Sequence, residues 1–313
     1  MSTLYLDRKG AKVSLSNRAL CVQNPQQKPQ RIPLTLFNRV VISCDVDLSS
    51  HLLSTLAQSG ISTLILIPRK SQGRAFVLGD MHNDITIRLQ QYACMQSTDF
   101  CLGFSQHLIR AKLLGQQRVL QHASMQHSQH KATCQKALKH IKEQQKKIMK
   151  SVGIASLMGM EGAAAHAYFQ AYSQLFAPSL NMSGRNKRPP KDPVNVCLSL
   201  AYTLLHFEAV HWLHASGLDV MGGLFHQPLF GRESLACDVI EPFRPKVDVF
   251  VLRLFVEKTL RPEHFSTTEQ ACMLQKAGRQ HFYHAYEQWA KAIRRLMRLE
   301  SRRLVSYLRG YQA

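Results

Sequence analysis

Residues 222–245 read GGLFHQPLFGRESLACDVIEPFRP and combine a glycine-rich turn, a short helical segment and three side chains of metal-ligand type. His226 follows two glycines, which predicts a turn or the meeting point of two helices. Asp238 and Glu241 are three residues apart, so a helix would present both carboxylates on one face, and Pro242 would end that helix. Each feature also has a plainer explanation, because a lone histidine usually finds a hydrogen-bond partner inside the protein and acids are common near helix ends.

Glu161 lies in a second unusual stretch, LMGMEGAAAHAYF at residues 157–169. Its neighbours include Gly159, Gly162 and three alanines. On a helix, such small residues allow another backbone to approach closely, and the carboxylate is then poorly shielded by its neighbours. Taken alone, this pattern predicts a tight helix-packing face that carries an incidental glutamate.

Considered as one set, the four side chains Glu161, His226, Asp238 and Glu241 indicate a metal site. They form a mixed oxygen and nitrogen donor set that suits Mg²⁺ or Mn²⁺, and the imidazole favours tolerance of Mn²⁺. In a strongly basic protein, a local group of acids is a place where a cation can bridge the protein to a phosphate. Their convergence in space is a hypothesis, since Glu161 is far from the others in the sequence.

Other histidines occur at helical spacings that could indicate a second metal site. They are His206, His211 and His214. We interpret all three as core or surface histidines.

The chain changes character near residue 85. Before it, short apolar alternations predict a β-hairpin over residues 3–15 and strands at 40–42, 64–67 and 74–78, with a helix over 51–58 capped near Ser49. After it, apolar residues recur three or four apart almost to the end, which predicts helices. The sequence therefore predicts an α+β, two-domain fold, with a small β-rich N-terminal domain (1–85) and a larger all-α C-terminal domain (86–313), which contains all four candidate metal ligands.

Charge points to a polyanionic partner. The chain has 40 Lys and Arg against 20 Asp and Glu, for a net charge of +20. Residues 101–150 hold ten cations and one acid, and residues 280–313 hold seven cations and two acids. Basic helices of this kind are suited to phosphate contacts, although a single run is more often a solvated face. We expect four lysines of the first run to contact DNA: Lys139, Lys142, Lys146 and Lys147.

A proline-rich loop and the opening stretch add further cations. The segment SGRNKRPPKDPVN, residues 183–195, contains three prolines that exclude a helix, so it predicts a stiff basic loop. A plain surface loop explains it equally well. The expected DNA contacts here are Arg185, Lys187, Arg188, Lys191 and, from the opening stretch, Arg232.

Several classes of protein are disfavoured by composition. The eight cysteines form no Cys-x-x-Cys pair, which argues against a structural zinc site or a disulfide framework. No run of eighteen apolar residues and no basic-then-apolar signal at the N-terminus are evident, so we expect a cytoplasmic protein without a membrane span.

Three long motifs carry a resemblance to a known family. They are GMEG with AYF, then NKRPPKDPVNVCLSLAYTLL, then GLDVMGGLFHQPLFGRESLACDVIEPFRPKVD, all within residues 157–248. Their order and spacing resemble the CRISPR-associated integrase family, the catalytic subunit of spacer acquisition (CRISPR-associated protein one). The resemblance implies that Glu161, His226 and Asp238 bind the metal and that Glu241 is an auxiliary acid.

The resemblance also implies a mechanism and partners. A prokaryotic enzyme of this family uses Mg²⁺ or Mn²⁺ to let the 3′-hydroxyl of a short double-stranded DNA donor attack a phosphodiester at a CRISPR repeat. It acts as a homodimer joined through its N-terminal domains and assembles with a small partner subunit. Two alternatives stay open: a structure-specific nuclease that hydrolyses branched DNA with water, and a DNA-binding scaffold without catalysis.

Overall fold

The computed structural model describes residues 2–66, 74–80, 82, 84–126, 128–186 and 189–311. The chain divides into two compact units, Met1–His82 and Asn83–Ala313. The first unit is rich in strands and the second is mainly helical, in agreement with the predicted α+β class. Two of the predicted DNA contacts, Lys187 and Arg188, lie outside the described residues.

The described part of the first unit contains two four-stranded sheets. The strands are β1 (Thr3–Leu6), β2 (Ala11–Ser16), β3 (Ala19–Gln23), β4 (Gln30–Pro33), β5 (Arg39–Ile42), β6 (Val46–Leu48), β7 (Ser62–Leu66) and β8 (Arg74–Val77). One sheet has the order β1-β5-β7-β8, in which the first three strands are parallel and β8 is antiparallel to β7. The other has the order β4-β3-β2-β6, with β6 parallel to β2.

The predicted hairpin between residues 3–6 and 12–15 is wrong. Strand β1 pairs with β5, while β2 pairs antiparallel with β3 in the other sheet. The tight turn between β2 and β3 lies at Asn17 and Arg18, whose φ angles are 49° and 57°. Two-residue hairpin turns need this left-handed conformation, which asparagine tolerates better than most residues. Because this turn contains no glycine, the sequence gives little sign of it.

Helix α1 (Ser50–Gln58) confirms the predicted capped helix. The Ser49 hydroxyl accepts a hydrogen bond from the backbone N–H of Leu52 at 3.2 Å, which satisfies one of the free donors of the first turn. Leu52 and Leu56 on this helix are buried in the hydrophobic core of the first unit. The helix thus forms because one polar cap and one apolar face act together.

The second unit contains eight α-helices in its described part. They are α2 (Ile85–Gln96), α3 (Thr98–Gln126), α4 (Lys131–Ile148), α5 (Ile154–Ser173), α6 (Pro193–Ala215), α7 (Ser234–Ile240), α8 (Arg244–Val256) and α9 (Lys276–Arg309). Two short antiparallel strands, β9 (Phe265–Thr267) and β10 (Cys272–Leu274), correct the prediction that this unit is all-α. Cys272 and Leu274 are buried on one side of β10, and this alternation holds the small ribbon on the helices.

Helix α6 is the core helix of the second unit. Asp192 caps its first turn by accepting a hydrogen bond from the backbone N–H of Asn195 at 2.8 Å. By length and composition α6 could cross a membrane, with a mean hydropathy of 1.3, but 67% of that stretch is buried inside the protein. It packs against α7, α8 and α9, which explains its apolar character.

The connection between helices α7 and α8 lies at the edge of a cavity in the second unit. Helix α7 ends at Ile240, and a 3-10 turn over Glu241–Phe243 leads directly into α8. The turn packs against α3, where Gly115 makes room for Pro245 of α8: a Cβ on Gly115 would lie 2.8 Å from the Pro245 Cγ. This close contact fixes the 3-10 turn beside α3 and α5, at the edge of a cavity.

Candidate active site

A cavity of about 540 Å³ opens in the second unit. Helices α3, α5, α6 and α8, the 3-10 turn and the loop before α6 all contribute to its wall. Acidic, basic and imidazole groups are concentrated in its lining, which includes Lys112, Glu161, Arg185, His226, Glu241, Arg244 and Asp248. Three of the four candidate ligands predicted from the sequence therefore line one cavity: Glu161, His226 and Glu241.

Glu161 reaches the cavity from α5, where small residues leave space beside it. Gly162 also lines the cavity, and a Cβ added to Gly159 or Gly162 would meet nothing within 4 Å. The expected tight packing of a second backbone against these glycines is therefore wrong. The small side chains leave the helix surface open next to the carboxylate, so a large substrate can approach it.

Asp238 and His226 form a closely bonded pair. The His226 Nδ1 lies 2.6 Å from the Asp238 Oδ1, and that oxygen also accepts the His226 backbone N–H at 3.0 Å. The other oxygen, Oδ2, accepts the backbone N–H groups of Leu224 and Phe225 at 2.7 and 3.0 Å. Asp238 is 0% exposed, so its carboxylate holds the turn and the imidazole from behind.

Gly223 allows this turn to close. A Cβ at residue 223 would lie 2.4 Å from the His226 carbonyl oxygen and 2.6 Å from the Ser234 Cβ, so any larger residue would force the turn apart. The glycine pair noticed in the sequence thus sets the position of His226. The histidine lies half-buried at the cavity wall, with Nε2 as the ring nitrogen not engaged by Asp238.

The two acids of the opening stretch differ from the expectation in their placement. The resemblance implied that Asp238 faces the cation and that Glu241 lies to one side. In the structure, Glu241 lines the cavity, whereas Asp238 is engaged by the turn and is not part of the cavity wall. Asp238 belongs to an α-helix and Glu241 begins a 3-10 turn, so the simple one-face rule for helices does not hold across this joint.

Lys112 bridges the two cavity-lining acids. From α3, its Nζ donates a hydrogen bond to the Glu161 Oε1 and lies 2.6 Å from the Glu241 Oε2. Arg244 donates from Nε to the other Glu241 oxygen, Oε1, at 2.8 Å. Lys112 thus holds together two carboxylates from different elements, and Arg244 adds a second cation at Glu241.

Burial and charge compete at these groups. Burial raises the pKa of Glu241, but Arg244 and Lys112 outweigh it and lower that pKa to about 2. Burial likewise lowers the pKa of Lys112, and the attraction of Glu241 and Glu161 more than restores it. Both groups are therefore charged at neutral pH.

Lys112 is a site residue that the motifs do not predict. In the sequence it is one of ten cations in a basic run. The signal that could have identified it is its position: Leu108, Ile109 and Leu113 are buried on the same helix face, so the lysine points inward. A cation on an apolar face needs a buried partner.

Two guanidinium groups of the cavity stand over one aromatic ring. The guanidinium carbons of Arg185 and Arg244 lie 5.5 and 4.9 Å from the centre of the Tyr202 ring, within the range of cation–π attraction. Arg185 is further fixed by hydrogen bonds to the Asn195 Oδ1 at 2.7 Å and the Ser199 Oγ at 3.1 Å. Two positioned guanidinium groups in one cavity are suited to bind phosphate oxygens.

Asp248 is another site residue that the sequence analysis did not single out. It is buried and accepts hydrogen bonds from the hydroxyls of Tyr168, at 2.9 Å, and Tyr202. Burial raises its pKa to about 6, although these hydroxyls and Arg244 act in the opposite direction. Its place at the end of the third motif, FRPKVD, is the only signal for it in the sequence.

The predicted DNA contacts fall into different environments. Arg185 lines the cavity and Lys191 is exposed. Arg232 is half-buried, and its backbone forms an isolated β-bridge with Leu229. The four lysines of α4, Lys139, Lys142, Lys146 and Lys147, are all exposed. In the basic C-terminal run, however, Arg294 is buried and paired with Glu208 and Glu287, so it cannot contact DNA.

The donor set fits a divalent cation in chemistry. Among the described residues, no three His, Cys, Asp or Glu side chains stand close enough to hold a metal ion as they are arranged. Lys112 contacts both Glu161 and Glu241, so an ammonium group stands between two of the candidate ligands. Two carboxylates beside an oriented imidazole are the donors that Mg²⁺ and Mn²⁺ accept.

The other histidines show no such arrangement. His206 lies 3.1 Å from the Glu233 Oε2 through Nε2, and His211 packs edge-on against Trp212 with ring centres 4.9 Å apart. Burial lowers the pKa of His214. These environments are those of core and partly buried histidines.

A family model described as CRISPR associated protein Cas1 matches residues 4–288 of the chain. The chain belongs to the Cas1 family. The CRISPR-associated endonuclease Cas1 1 of Thermodesulfovibrio yellowstonii is 37% identical over 309 residues, which cover 96% of this chain and 95% of that protein. The resemblance stated from the three motifs is confirmed.

Solved structures share the fold. A Cas1 protein from Thermotoga maritima has a TM-score of 0.86 at 22% identity and covers 100% of this chain and 98% of that one. A casposase bound to its integration product has a TM-score of 0.84 at 20% identity, covering 98% and 90%. The Cas6-RT-Cas1–Cas2 complex has a TM-score of 0.84 at 21% identity, covering 99% of this chain and 35% of that one. The two-domain α+β prediction is thereby confirmed.

Proposed function

We propose that this Cas1-family chain is a metal-dependent DNA endonuclease and integrase, which inserts short DNA fragments into a CRISPR array. One observation carries the proposal: Glu161, His226 and Glu241 line one cavity together with Arg185 and Arg244, and Arg244 is bonded to Glu241. Acidic ligands beside guanidinium groups can hold a cation and a phosphate side by side.

The proposed ligands are Glu161, His226 and Glu241. Mg²⁺ or Mn²⁺ bound by them would lower the pKa of the attacking hydroxyl and neutralise charge on the phosphoryl oxygens. Asp238 acts through His226: it accepts a hydrogen bond from Nδ1–H, which leaves a lone pair on Nε2, and its bonds to three backbone N–H groups keep the ring in place.

The protein groups around these ligands position the phosphodiester. Arg185 and Arg244 are held over the Tyr202 ring, and they bind the non-bridging oxygens of the phosphate under attack. The open surface beside Gly162 admits the DNA backbone. The exposed lysines of α4 bind more distant phosphates, in contacts that do not depend on the base sequence.

The partners are double-stranded DNA, a second copy of the chain and a small partner subunit. Two solved structures with the same fold support these partners. The casposase bound to an integration product supports DNA as a partner, and the complex that contains Cas1 and Cas2 supports a partner subunit. The family resemblance implies the homodimer, joined through the N-terminal unit, and a cytoplasmic location remains part of the proposal.

A strand-transfer assay tests this function. A labelled donor duplex with 3′-hydroxyl ends and a supercoiled target carrying repeats are incubated with Mn²⁺, and a donor with 3′-dideoxy ends is run beside it. We expect joining with the first donor alone, no joining by Glu161→Gln, and full joining by the control Glu263→Gln, whose side chain is exposed.

The same assay separates the alternatives. Cleavage of the target that does not depend on the 3′-hydroxyl would make the protein a nuclease that uses water. Tight DNA binding without any cleavage or joining at any Mn²⁺ concentration would leave only the scaffold.

A further inference from the structure

Lys112 holds the position that the proposed cation needs. It is 7% exposed, and its single ammonium group contacts acids from two separate elements, Glu161 on α5 and Glu241 on the 3-10 turn. Without that ammonium, the two carboxylates would repel each other in a partly buried site. The lysine therefore stabilises the arrangement of the acids.

The cation and the ammonium group compete for one particular atom. Arg244 already occupies the Glu241 Oε1 at 2.8 Å, which leaves Oε2 as the oxygen that can bind a cation. That oxygen lies 2.6 Å from the Lys112 Nζ. A Mg²⁺ ion at about 2.1 Å from Oε2 would stand within roughly 5 Å of the ammonium, where two positive charges repel strongly in a partly desolvated site.

We propose that Lys112 is a resident counter-ion that a divalent cation must displace from Glu161 and Glu241, and that the displaced ammonium group then binds a DNA phosphate. This inference rests on the proposed function. Lysine suits the exchange, because its compact charge sits on a flexible four-carbon chain. The cavity provides space for the lysine side chain to move, and the guanidinium groups of Arg185 and Arg244 mark where a phosphate would lie.

The exchange has two consequences. The chain keeps a folded site without metal, at the expense of weaker metal binding. In addition, Lys112 contributes to DNA binding only when the cation has taken its place, so that cation and DNA strengthen each other's binding.

The first experiment measures Mn²⁺ affinity by isothermal titration calorimetry on metal-free protein without DNA. Lys112→Met removes the competitor, and we expect it to bind Mn²⁺ at least about tenfold more tightly than the wild type. Lys112→Arg keeps a positive charge and should show no such gain. Lys276→Met, which removes an exposed lysine at the start of α9, is the matched control and should bind as the wild type does.

Equal or weaker Mn²⁺ binding by Lys112→Met would overturn the inference, and so would an equal gain in Lys112→Arg. If Lys112→Met unfolds without metal, Mn²⁺ must restore its helical circular dichroism, because the cation replaces the lost charge. Failure to refold would also overturn it. A wild type that binds no Mn²⁺, or a Glu161→Gln variant that binds it equally well, would instead contradict the proposed function.

The second experiment measures the salt dependence of binding to a duplex with 3′-dideoxy ends. With Mn²⁺ present, Lys112→Met should lower the slope of log K against log[salt] by about 0.9, the value for one lost phosphate contact on B-form DNA. Without metal, the two slopes should be equal. Equal slopes in both conditions would overturn the DNA part of the inference.

Discussion

Two groups of buried charges in the second unit look similar and serve different ends. In one, Arg294 of α9 lies between Glu208 of α6 and Glu287 of α9, with nitrogen–oxygen distances of 2.7 and 2.8 Å. In the other, Lys112 lies between Glu161 and Glu241. Each places a cation between two carboxylates, so this charge pattern alone does not identify a functional site.

The surroundings separate the two groups. The Arg294 group joins two long helices in the core, and it is not part of the described cavity. The Lys112 group lines a cavity, beside an imidazole and two guanidinium groups. Access and neighbouring donors, rather than buried charge, therefore mark the site. The following predictions test this distinction, beginning with the largest expected effect.

Glu241→Gln should reduce strand transfer by more than about a thousandfold, because it removes a proposed ligand of the cation that neutralises charge on the phosphoryl oxygens. Asp238→Asn should reduce it by only about 10- to 100-fold, since Asp238 acts through His226. Both rates are measured with excess Mn²⁺ on the same donor and target. A dead Asp238→Asn beside a partly active Glu241→Gln would restore the roles that the sequence implied.

Arg294→Met should destabilise the protein by about 3–5 kcal/mol, because it leaves Glu208 buried without its main counter-charge. Urea unfolding followed by circular dichroism measures this loss. The folded fraction should bind Mn²⁺ as the wild type does, since the Arg294 group is separate from the cavity. Altered Mn²⁺ binding would show that the two groups are coupled.

Asp248→Asn should change how stability depends on pH. The folded pKa of Asp248 is about 6, above its ordinary value of 3.8, so the folded state holds this proton more strongly. Its contribution to stability is present below about pH 4 and is lost as the pH rises to 6, by at most about 3 kcal/mol. Urea unfolding between pH 4 and 7 should show a flatter decline in the variant, and an unchanged slope would contradict the burial of this acid.

The smallest effect is expected on α4. Replacing Lys139, Lys142, Lys146 and Lys147 by Gln should weaken binding similarly on unrelated duplexes and lower the salt slope by about 0.9 per lost phosphate contact. Stability should not change, because all four side chains are exposed. An unchanged slope would assign these lysines to an ordinary solvated face.

Much of this molecule could be predicted from the sequence. Most strands and helices followed from apolar spacing, and the three motifs marked Glu161, His226, Asp238 and Glu241 as candidate site residues. The resemblance gave the direct role to Asp238 and the auxiliary role to Glu241. Helical spacing could not check this assignment, because the helix changes to a 3-10 turn at Glu241 and the spacing rule no longer applies.

Lys112 and Arg294 show the limit of counting charges. Both belong to basic runs in the sequence, yet both are buried and paired with acids from elsewhere in the chain. Glu161 and Glu208 are contributed by other helices and Glu241 by the 3-10 turn, and of the four partners Glu287 alone is local, on the same helix as Arg294. The local pattern around each cation therefore holds little of the information. Only the inward direction of each side chain, read from its apolar neighbours, could have given a warning.

A crystal soaked in Mn²⁺ and measured for anomalous scattering tests the central claim most directly. We expect one peak within about 2.0–2.3 Å of Glu161, His226 and Glu241, with Asp238 still bonded to the imidazole and the Lys112 ammonium moved away from both glutamates. A peak bound by Asp238, with Lys112 still between Glu161 and Glu241, would contradict the account.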